Sequence, residues 1–145
     1  MNIAKDLSKE AATSPRVRTG GYAILARMAD KGRADIVGTI GDYHFDCPLD
    51  NMLFGFKGVK GADVREVLEN GGTNEIVAAW LDSHGDPKTD EEKKAWSDEV
   101  ENYRPYDNPE KKDWFIGVCG EAGCDPATST LFDFLEADDK TSFAK

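Results

Sequence analysis

Four residue types that can move protons or attack a substrate lie within eight consecutive positions. Tyr43, His44, Cys47 and Asp50 supply a phenol, an imidazole, a thiol and a carboxylate. Histidine titrates near neutral pH, so His44 is the natural general base, while Asp50 could orient it, act as a base itself or cap a helix. We therefore predict that these four residues form a candidate catalytic group.

Each of these residues also has a purely structural explanation. A histidine beside aromatic residues is more often a packing residue, and a cysteine before a proline is more often a small buried apolar residue. Asp50 follows Pro48 in a predicted first helical turn, where a carboxylate interacts favourably with the helix dipole whether or not a ligand binds. Alternation along an extended segment places His44 opposite Tyr43 and Cys47, so only one of the two faces can line a pocket.

Basic residues are concentrated near the start of an otherwise acidic chain. The 145 residues carry a formal net charge of -10, yet positions 1–35 hold seven basic and four acidic side chains. Guanidinium groups bind carboxylates and phosphates bidentately, so this segment could line a pocket for a compact anionic ligand. Alternatively, the arginines pair with the acidic surface and orient the first helix. The candidate ligand-binding residues are Arg16, Arg18, Tyr22, Arg27, Lys31 and Arg33.

Short helices are the elements that must position these side chains. Apolar spacing predicts a helix over 22–34, with Tyr22, Leu25 and Met28 on one face and Arg27 together with Lys31 on another. Positions 36–47 lose the helical period and predict an extended segment or a small hairpin.

Capping signals predict further helices along the chain. Pro48 and Thr73 mark two helix starts, and Thr89 with Glu92 has the spacing of a capping box. Ser14 followed by a proline predicts another start, the final helix is expected over 128–137, and the following Asp-Asp pair is expected to be a solvated helix end. We predict a mainly α fold, a single compact domain over 1–145 with about six short helices, in which 1–13 form at most a loosely held arm.

Composition excludes several classes of partner and compartment. The acidic total argues against extended nucleic acid and anionic membranes, because both are bound by Lys and Arg. No apolar run has the length of an export signal or a membrane span. Three cysteines are an odd number and indicate free thiols in a reducing compartment, so we expect a cytoplasmic protein, either a monomer or a homodimer.

Cofactor and metal motifs are not found in the sequence. The glycine pairs lack the spacing of a phosphate-binding loop or a dinucleotide fingerprint, and no serine nucleophile elbow occurs. Cys119 and Cys124 form a lone pair with no histidine nearby, which does not suit zinc. We expect no cofactor and no metal.

Polar motifs cover much of the first half of the chain and its end. They are the segments 14–18, 20–21, 25–28, 30–34, 41–45, 47–50, 131–139 and 142–143. These segments resemble the bacterial family called domain of unknown function 5069, and the resemblance extends over nearly the whole chain, with 88–127 the part that is not matched. It implies no activity, because none is assigned to the family.

Two functions from different classes agree with these observations. The first is a small cofactor-independent enzyme, a lyase, isomerase or hydrolase, which holds a compact anionic small molecule with arginines and moves protons through Tyr43, His44 or Asp50. The second is a non-catalytic domain that uses the same arginines to bind a small molecule or an acidic partner. We favour the enzyme because a pure anion binder does not need proton-transfer groups. The enzyme predicts that these groups converge with an arginine in one enclosed pocket.

Overall fold

Helices form nearly all of the regular secondary structure. The computed structural model describes residues 4–143, and within that range the one β-bridge is the isolated pair Thr19 and Tyr22. This confirms the mainly α fold. The helices are α1 Leu25–Val37, α2 Pro48–Lys57, α3 Gly61–Glu69, α4 Asn74–Ser83, α5 Asp90–Glu101, α6 Lys112–Ala122 and α7 Leu131–Ser142, with a short 3-10 helix, Pro105–Asp107, before α6.

Helix α1 is buried on two faces. Leu25 and Met28 lie in the main apolar core, where residues of α2, α3, α4 and α7 pack around them. Arg27 and Lys31 are each only 3% exposed although both carry a charge. Charged side chains are rarely buried without a partner, so this helix depends on its neighbours to supply opposite charge.

The segment before α1 is a tight turn, which explains why the helix begins at Leu25 and not at the predicted position 22. Thr19 and Tyr22 exchange two backbone hydrogen bonds of 3.1 and 3.0 Å. Ile24 has a φ of 74°, an unusual conformation for a β-branched residue. Full burial of its side chain and a 2.9 Å hydrogen bond to the carbonyl of Pro15 hold it there.

The predicted helix start at Ser14 was wrong, because the chain forms a turn there. The Ser14 hydroxyl accepts a hydrogen bond of 3.2 Å from the backbone N–H of Arg16 and donates one of 2.7 Å to Glu136. A local turn and a bond to α7 therefore use the groups that a helix cap would have used.

The segment between α1 and α2 consists of turns, with no strand between 38 and 47. Its alternation is nevertheless present, because Tyr43, Phe45 and Cys47 are partly buried while His44 and Asp46 are exposed. Pro48 then begins α2 in its first turn, as its fixed φ allows.

Side-chain caps define several helix starts as predicted. Thr73 accepts a hydrogen bond from the N–H of Ile76, and Thr89 forms a complete capping box with Glu92. In the last helix the cap is Thr130, so α7 begins three residues later than predicted and continues to Ser142.

Two smaller apolar clusters extend the core. Phe115 and Phe134 join α6 to α7, with ring centroids 5.9 Å apart. Leu7 is 1% exposed and its N–H donates to the carbonyl of Thr39 at 2.8 Å, so the segment 4–13 is anchored through Leu7 and differs from the predicted loose arm. Residues 1–3 of that predicted arm lie outside the described residues.

None of the helices in residues 4–143 is both long enough and apolar enough to cross a membrane.

Candidate functional site

Arg27 lies at the centre of a buried polar network between α1 and α7. Its guanidinium nitrogens Nη1 and Nη2 donate to Oδ2 and Oδ1 of Asp139 at 2.7 and 3.1 Å. Nη1 also donates to the carbonyl of Thr13 at 3.3 Å, and the guanidinium carbon lies 5.2 Å from the ring centroid of Tyr43. Arg27 therefore has a bidentate carboxylate partner and an aromatic face within the protein itself.

Tyr43 contributes its hydroxyl to the same network. The hydroxyl donates to Oδ1 of Asp139 at 2.7 Å and accepts a 3.3 Å hydrogen bond from the N–H of Ala12. Burial raises the pKa of Tyr43 to about 12, and the hydrogen bond to Asp139 acts in the same direction. At neutral pH Tyr43 is therefore a proton donor and not a base.

Burial alone would lower the pKa of Arg27, since the charged form loses its hydration. The hydrogen bonds and the negative charge of Asp139 outweigh that effect, so the pKa of Arg27 lies above its ordinary value. The guanidinium of Arg27 therefore keeps its charge.

Asp30 connects the network to the N-terminal segment. Its Oδ2 accepts hydrogen bonds from the N–H and the hydroxyl of Thr13 at 2.8 and 2.6 Å. Lys5 places its ammonium nitrogen 3.4 Å from the same oxygen. These contacts hold residues 5–13 against α1.

Lys31 lies one helical turn after Arg27 and forms a second buried cluster, this time with α2. Its Nζ lies 2.9 Å from Oδ1 of Asp50 and 3.2 Å from Sγ of Cys47. Asp50 is fully buried, and its Oδ2 accepts a 3.0 Å hydrogen bond from the N–H of Asp46. Burial raises the pKa of Asp50 although Lys31 opposes the rise. Asp50 is therefore enclosed in this structure as the internal partner of Lys31.

The other three arginines in the predicted ligand-binding set also bind groups of the protein. Their partners lie on α7, α5 and α4, far away in sequence. They are Asp133 and Glu136 for Arg16 at 2.7 and 3.0 Å, Asp98 for Arg18 at 2.7 Å, and Asn74 Oδ1 for Arg33 at 2.7 Å.

Tyr22 is a core residue with a polar end, and it lies apart from Arg27. Its ring is fully buried, and its hydroxyl donates to Asp82 at 2.7 Å. Lys93 places its ammonium nitrogen 3.0 Å from the same carboxylate and 4.6 Å from the ring centroid of Tyr22. Burial and Asp82 raise the pKa of Tyr22.

The structure does not bring the four predicted catalytic residues into one pocket. Tyr43 contacts the network of Arg27, whereas Cys47 and Asp50 contact Lys31. His44 is exposed and makes no hydrogen bond or ion pair with any residue from 4 to 143. The catalytic group and the anion pocket both stay predictions, and every cation assigned to that pocket has a partner inside the protein.

An open cleft of about 450 Å³ lies beside Tyr43. The N-terminal segment, the loop before α2 and the end of α7 form its walls. Tyr43 stacks on Phe143 across it, with ring centroids 6.3 Å apart and planes 14° apart. The cleft therefore has a flat aromatic surface.

Two carboxylates of this cleft have no partner among residues 4–143. Asp42 and Asp138 are both exposed and form no ion pair or hydrogen bond in that range. Partial burial at the wall and the adjacent charge of Asp139 raise the pKa of Asp138. Lys9 lies at the rim, but its side chain is 81% exposed and its ammonium nitrogen is 4.0 Å from Asp6. The free charge facing the cleft is therefore mainly negative.

The prediction that Asp138 and Asp139 form a solvated helix end was wrong for Asp139, which is 9% exposed. It lies seven residues after Phe132, on the buried side of α7, because the helix continues beyond position 137. A carboxylate that lies on the apolar face of a helix predicts a buried basic partner. That pattern could have identified Asp139, whereas the cleft residues Asp42 and Phe143 carry no comparable signal.

Metal ligands are not clustered anywhere in residues 4–143, since no group of three or more His, Cys, Asp or Glu side chains converges there.

The comparison with known families agrees with the resemblance of the polar segments. The family model described as domain of unknown function (DUF5069) matches residues 9–141. The match includes the part of the chain over 88–127 that the segments themselves did not place. No curated protein matches the chain.

Proposed function

This chain belongs to the DUF5069 family, and we propose that it binds a small molecule that carries a cationic group beside a flat apolar part. The observation that supports this is the cleft at Tyr43, where two unpartnered carboxylates flank two stacked rings. Small-molecule sites are concave and largely apolar, with a few polar groups that orient the ligand. The cleft is concave and combines two aromatic rings with a lining of charged and hydroxyl side chains, so it is more polar than most such sites.

Electrostatics favours a cation. Asp42 and Asp138 are exposed to a ligand, and a positive group between them would stabilise the ionised form of Asp138, whose pKa burial and Asp139 raise. Arg27 is the nearest buried cation, and its strongest donors already bind Asp139. An anion in the cleft would therefore meet repulsion without a free guanidinium.

The aromatic surface supports the same ligand class. The ring of Phe143 adds aromatic surface beside Tyr43, whose own ring lies 5.2 Å from the guanidinium carbon of Arg27. The face of an aromatic ring carries negative electrostatic potential, which attracts ammonium groups and also packs against flat rings. An aromatic or aliphatic amine matches both features.

The anionic ligand expected from the arginine content is the competing proposal. To bind an anion, Arg27 would have to release Asp139 from two hydrogen bonds, and Lys31 would have to release the fully buried Asp50. Leaving a buried carboxylate without its partner is costly. This cost is the reason that we prefer the cationic ligand.

Three ligands of one shape test the choice of charge. Benzylammonium, benzyl alcohol and benzoate share a ring but differ in charge, and backbone amide shifts in an NMR titration report where each one binds. We expect benzylammonium to shift the amides of Tyr43, Asp138 and Phe143, and benzoate to leave them unchanged. Binding of benzoate without binding of benzylammonium would overturn the proposal and favour the anion.

Asparagine variants locate the binding. Asp138→Asn and Asp42→Asn should each weaken benzylammonium binding several-fold, because each removes one negative charge from the cleft. Asp113→Asn is the matched control, since Asp113 is an exposed carboxylate on α6 outside the cleft. Equal affinity in all three variants would contradict the proposal.

A proton-transfer enzyme is the second candidate, and the hydroxyl of Tyr43 is the observation that favours it. Tyr43 lines the cleft, is protonated at neutral pH and is bound to Asp139 at 2.7 Å. A general-acid role would require this proton to move from its hydrogen bond with Asp139 to the ligand, in the lyase, isomerase or hydrolase chemistry expected from the sequence. Tyr43→Phe should then retain binding of an amine ligand and abolish its conversion, as followed by NMR of the ligand. If the natural protein does not convert the ligand, the enzyme candidate fails and only the binding function remains.

A further inference from the structure

The cluster of Lys31, Cys47 and Asp50 lies apart from the cleft, and the proposed function does not use it. None of the three residues lines the cleft at Tyr43. The cluster nevertheless joins a nucleophilic thiol to an amine, with a carboxylate on the other side of that amine. Its chemistry therefore needs a separate explanation.

Access to the two nucleophiles is unequal. Cys47 is partly exposed at the start of α2, whereas the side chain of Lys31 is 3% exposed. A small oxidant arriving from solvent therefore meets the sulfur first. The nitrogen of Lys31 lies behind it, 3.2 Å away, and becomes a nucleophile once it has lost a proton.

Asp50 is placed to take a proton from that amine. Its Oδ1 lies 2.9 Å from Nζ of Lys31, is fully buried and accepts no well-aligned hydrogen bond among the described residues. A fully buried ion pair is already without hydrating water. Proton transfer from Lys31 to Asp50 therefore gives a neutral amine and a neutral acid at no further cost in hydration. That proton transfer would free the lone pair of the amine.

We propose that Cys47 and Lys31 form a peroxide-sensitive pair whose oxidation ends in a covalent bond between the cysteine sulfur and the lysine nitrogen. In the first step the sulfur attacks one oxygen of hydrogen peroxide, the O–O bond breaks, and the leaving hydroxide takes the proton of the thiol. The thiol becomes a sulfenic acid, and the peroxide is reduced to water.

In the second step Lys31 gives one proton to Asp50, and its neutral amine attacks the sulfenic sulfur. The S–N bond forms as the S–O bond breaks, and the hydroxyl leaves as water with a second proton from the amine. The product is a sulfenamide, with two hydrogens fewer than the reduced protein. It ties α1 to α2, and excess thiol reduces it back to the free cysteine and the free amine.

Cys124 provides a comparison inside the same chain. It is also partly exposed, but it packs beside the buried Cys119, and no lysine amine contacts it among the described residues. If exposure alone decided the product, both cysteines would oxidise alike. The amine of Lys31 is the feature that distinguishes Cys47.

Peptide mass mapping of the full chain tests the proposal. After treatment with limiting hydrogen peroxide and digestion with trypsin, we expect a peptide that contains both Lys31 and Cys47, lacks two hydrogens and is uncut after Lys31. Dithiothreitol should split it into its two parts. Cys124 should give sulfenic acid, higher acids or a disulfide and no link to a lysine. A Cys47 that stays reduced, or that ends as sulfinic acid with Lys31 still cleaved by trypsin, overturns the proposal.

Variants separate the amine from general exposure. Lys31→Arg keeps the positive charge beside Asp50 but removes the amine, so the crosslink should be lost and dimedone should trap more sulfenic acid at Cys47. Asp50→Asn should slow crosslinking without removing it, and Cys124→Ser should not change it. Circular dichroism checks that each variant is folded, and the result with the natural protein decides the proposal even if Lys31→Arg does not fold. Unchanged trapping of Cys47 in a folded Lys31→Arg protein would count against it.

Discussion

Different kinds of interaction stabilise the two buried faces of α1. On one face Leu25 and Met28 are fully buried among apolar side chains, whose contacts are non-directional and depend on area and fit. On the other face Arg27 and Lys31 contact Asp139 and Asp50, and removal of either carboxylate leaves a buried basic group without its partner. The apolar face therefore tolerates gradual change, whereas the charged face fails when one partner is lost.

A second contrast lies within the charged residues. Arg27 and Asp139 are 4% and 11% exposed in their side chains, whereas Arg16 and Asp133 are 34% and 46% exposed. Water screens the second pair and hydrates either partner if the other is removed. The same residue types should thus contribute very differently to stability, and the following substitutions measure this difference.

Removing the buried guanidinium should have the largest effect. Arg27→Met leaves Asp139 buried without its cation, so we expect the free energy of unfolding to fall by about 3–5 kcal/mol. Urea denaturation measures the loss. The double variant Arg27→Met with Asp139→Asn removes both charges and leaves an acceptor for Tyr43, so it should recover most of the stability. A double variant less stable than Arg27→Met would show that burial of the charge is not the cause.

An added methyl group on α1 should have an intermediate effect. A Cβ at Gly32 would overlap Leu68 and lie 3.0 Å from Cε1 of Phe45, so Gly32→Ala should destabilise by roughly 1–3 kcal/mol. Gly117 lies inside α6 with open space around it, and there alanine should stabilise by about 0.5–1 kcal/mol. Urea unfolding of both variants tests the prediction, since helix propensity alone would give both changes the same sign.

Removing an exposed arginine should have a small effect. Arg16→Ala and Arg18→Ala should each cost about 0.2–1 kcal/mol, because their carboxylate partners remain hydrated. For these two variants, added salt should reduce the difference in free energy of unfolding from the natural protein. For Arg27→Met the same difference should stay nearly unchanged. A loss as large as that for Arg27→Met would remove the distinction between exposed and buried pairs.

The last effect is confined to alkaline pH and involves Tyr43. Its pKa rises from 10.0 to about 12 in the folded protein, mainly through burial. The stabilisation is complete below the unfolded pKa and is lost as pH rises towards the folded pKa, because the unfolded chain ionises first. Over this window the natural protein should lose more stability than Tyr43→Phe, in urea midpoints measured at several pH values. Equal losses would show that Tyr43 titrates normally.

Local features of the fold could be predicted because they depend on neighbouring residues. Two helix starts are marked by side chains that accept from free backbone N–H groups, those of Thr73 and of Thr89 with Glu92. A third is marked by Pro48, which has no backbone N–H to satisfy. The turn before α1 was not predicted, because a positive φ at Ile24 depends on the core that encloses it and not on its own preference.

The candidate site was predicted in part. Arg27 and Lys31 were placed on one side of α1 by their spacing, and both are buried there. Their role was expected to be ligand binding, since free guanidinium and ammonium groups suit an anion. Asp139 lies 112 residues after Arg27, a separation that no local pattern bridges. His44 was expected to be the base and is exposed, because the loop turns its face to solvent.

The sequence by itself determined the helical class, the starts of three helices, the concentration of arginine near the beginning and the family resemblance. These properties follow from composition and from interactions over a few residues. Only the tertiary structure decided which carboxylate each cation meets, that Asp50 is enclosed, and that Asp42 and Asp138 face an open cleft. Charge pairing in a folded protein is set by how helices dock, and docking is decided by the packing of the whole core.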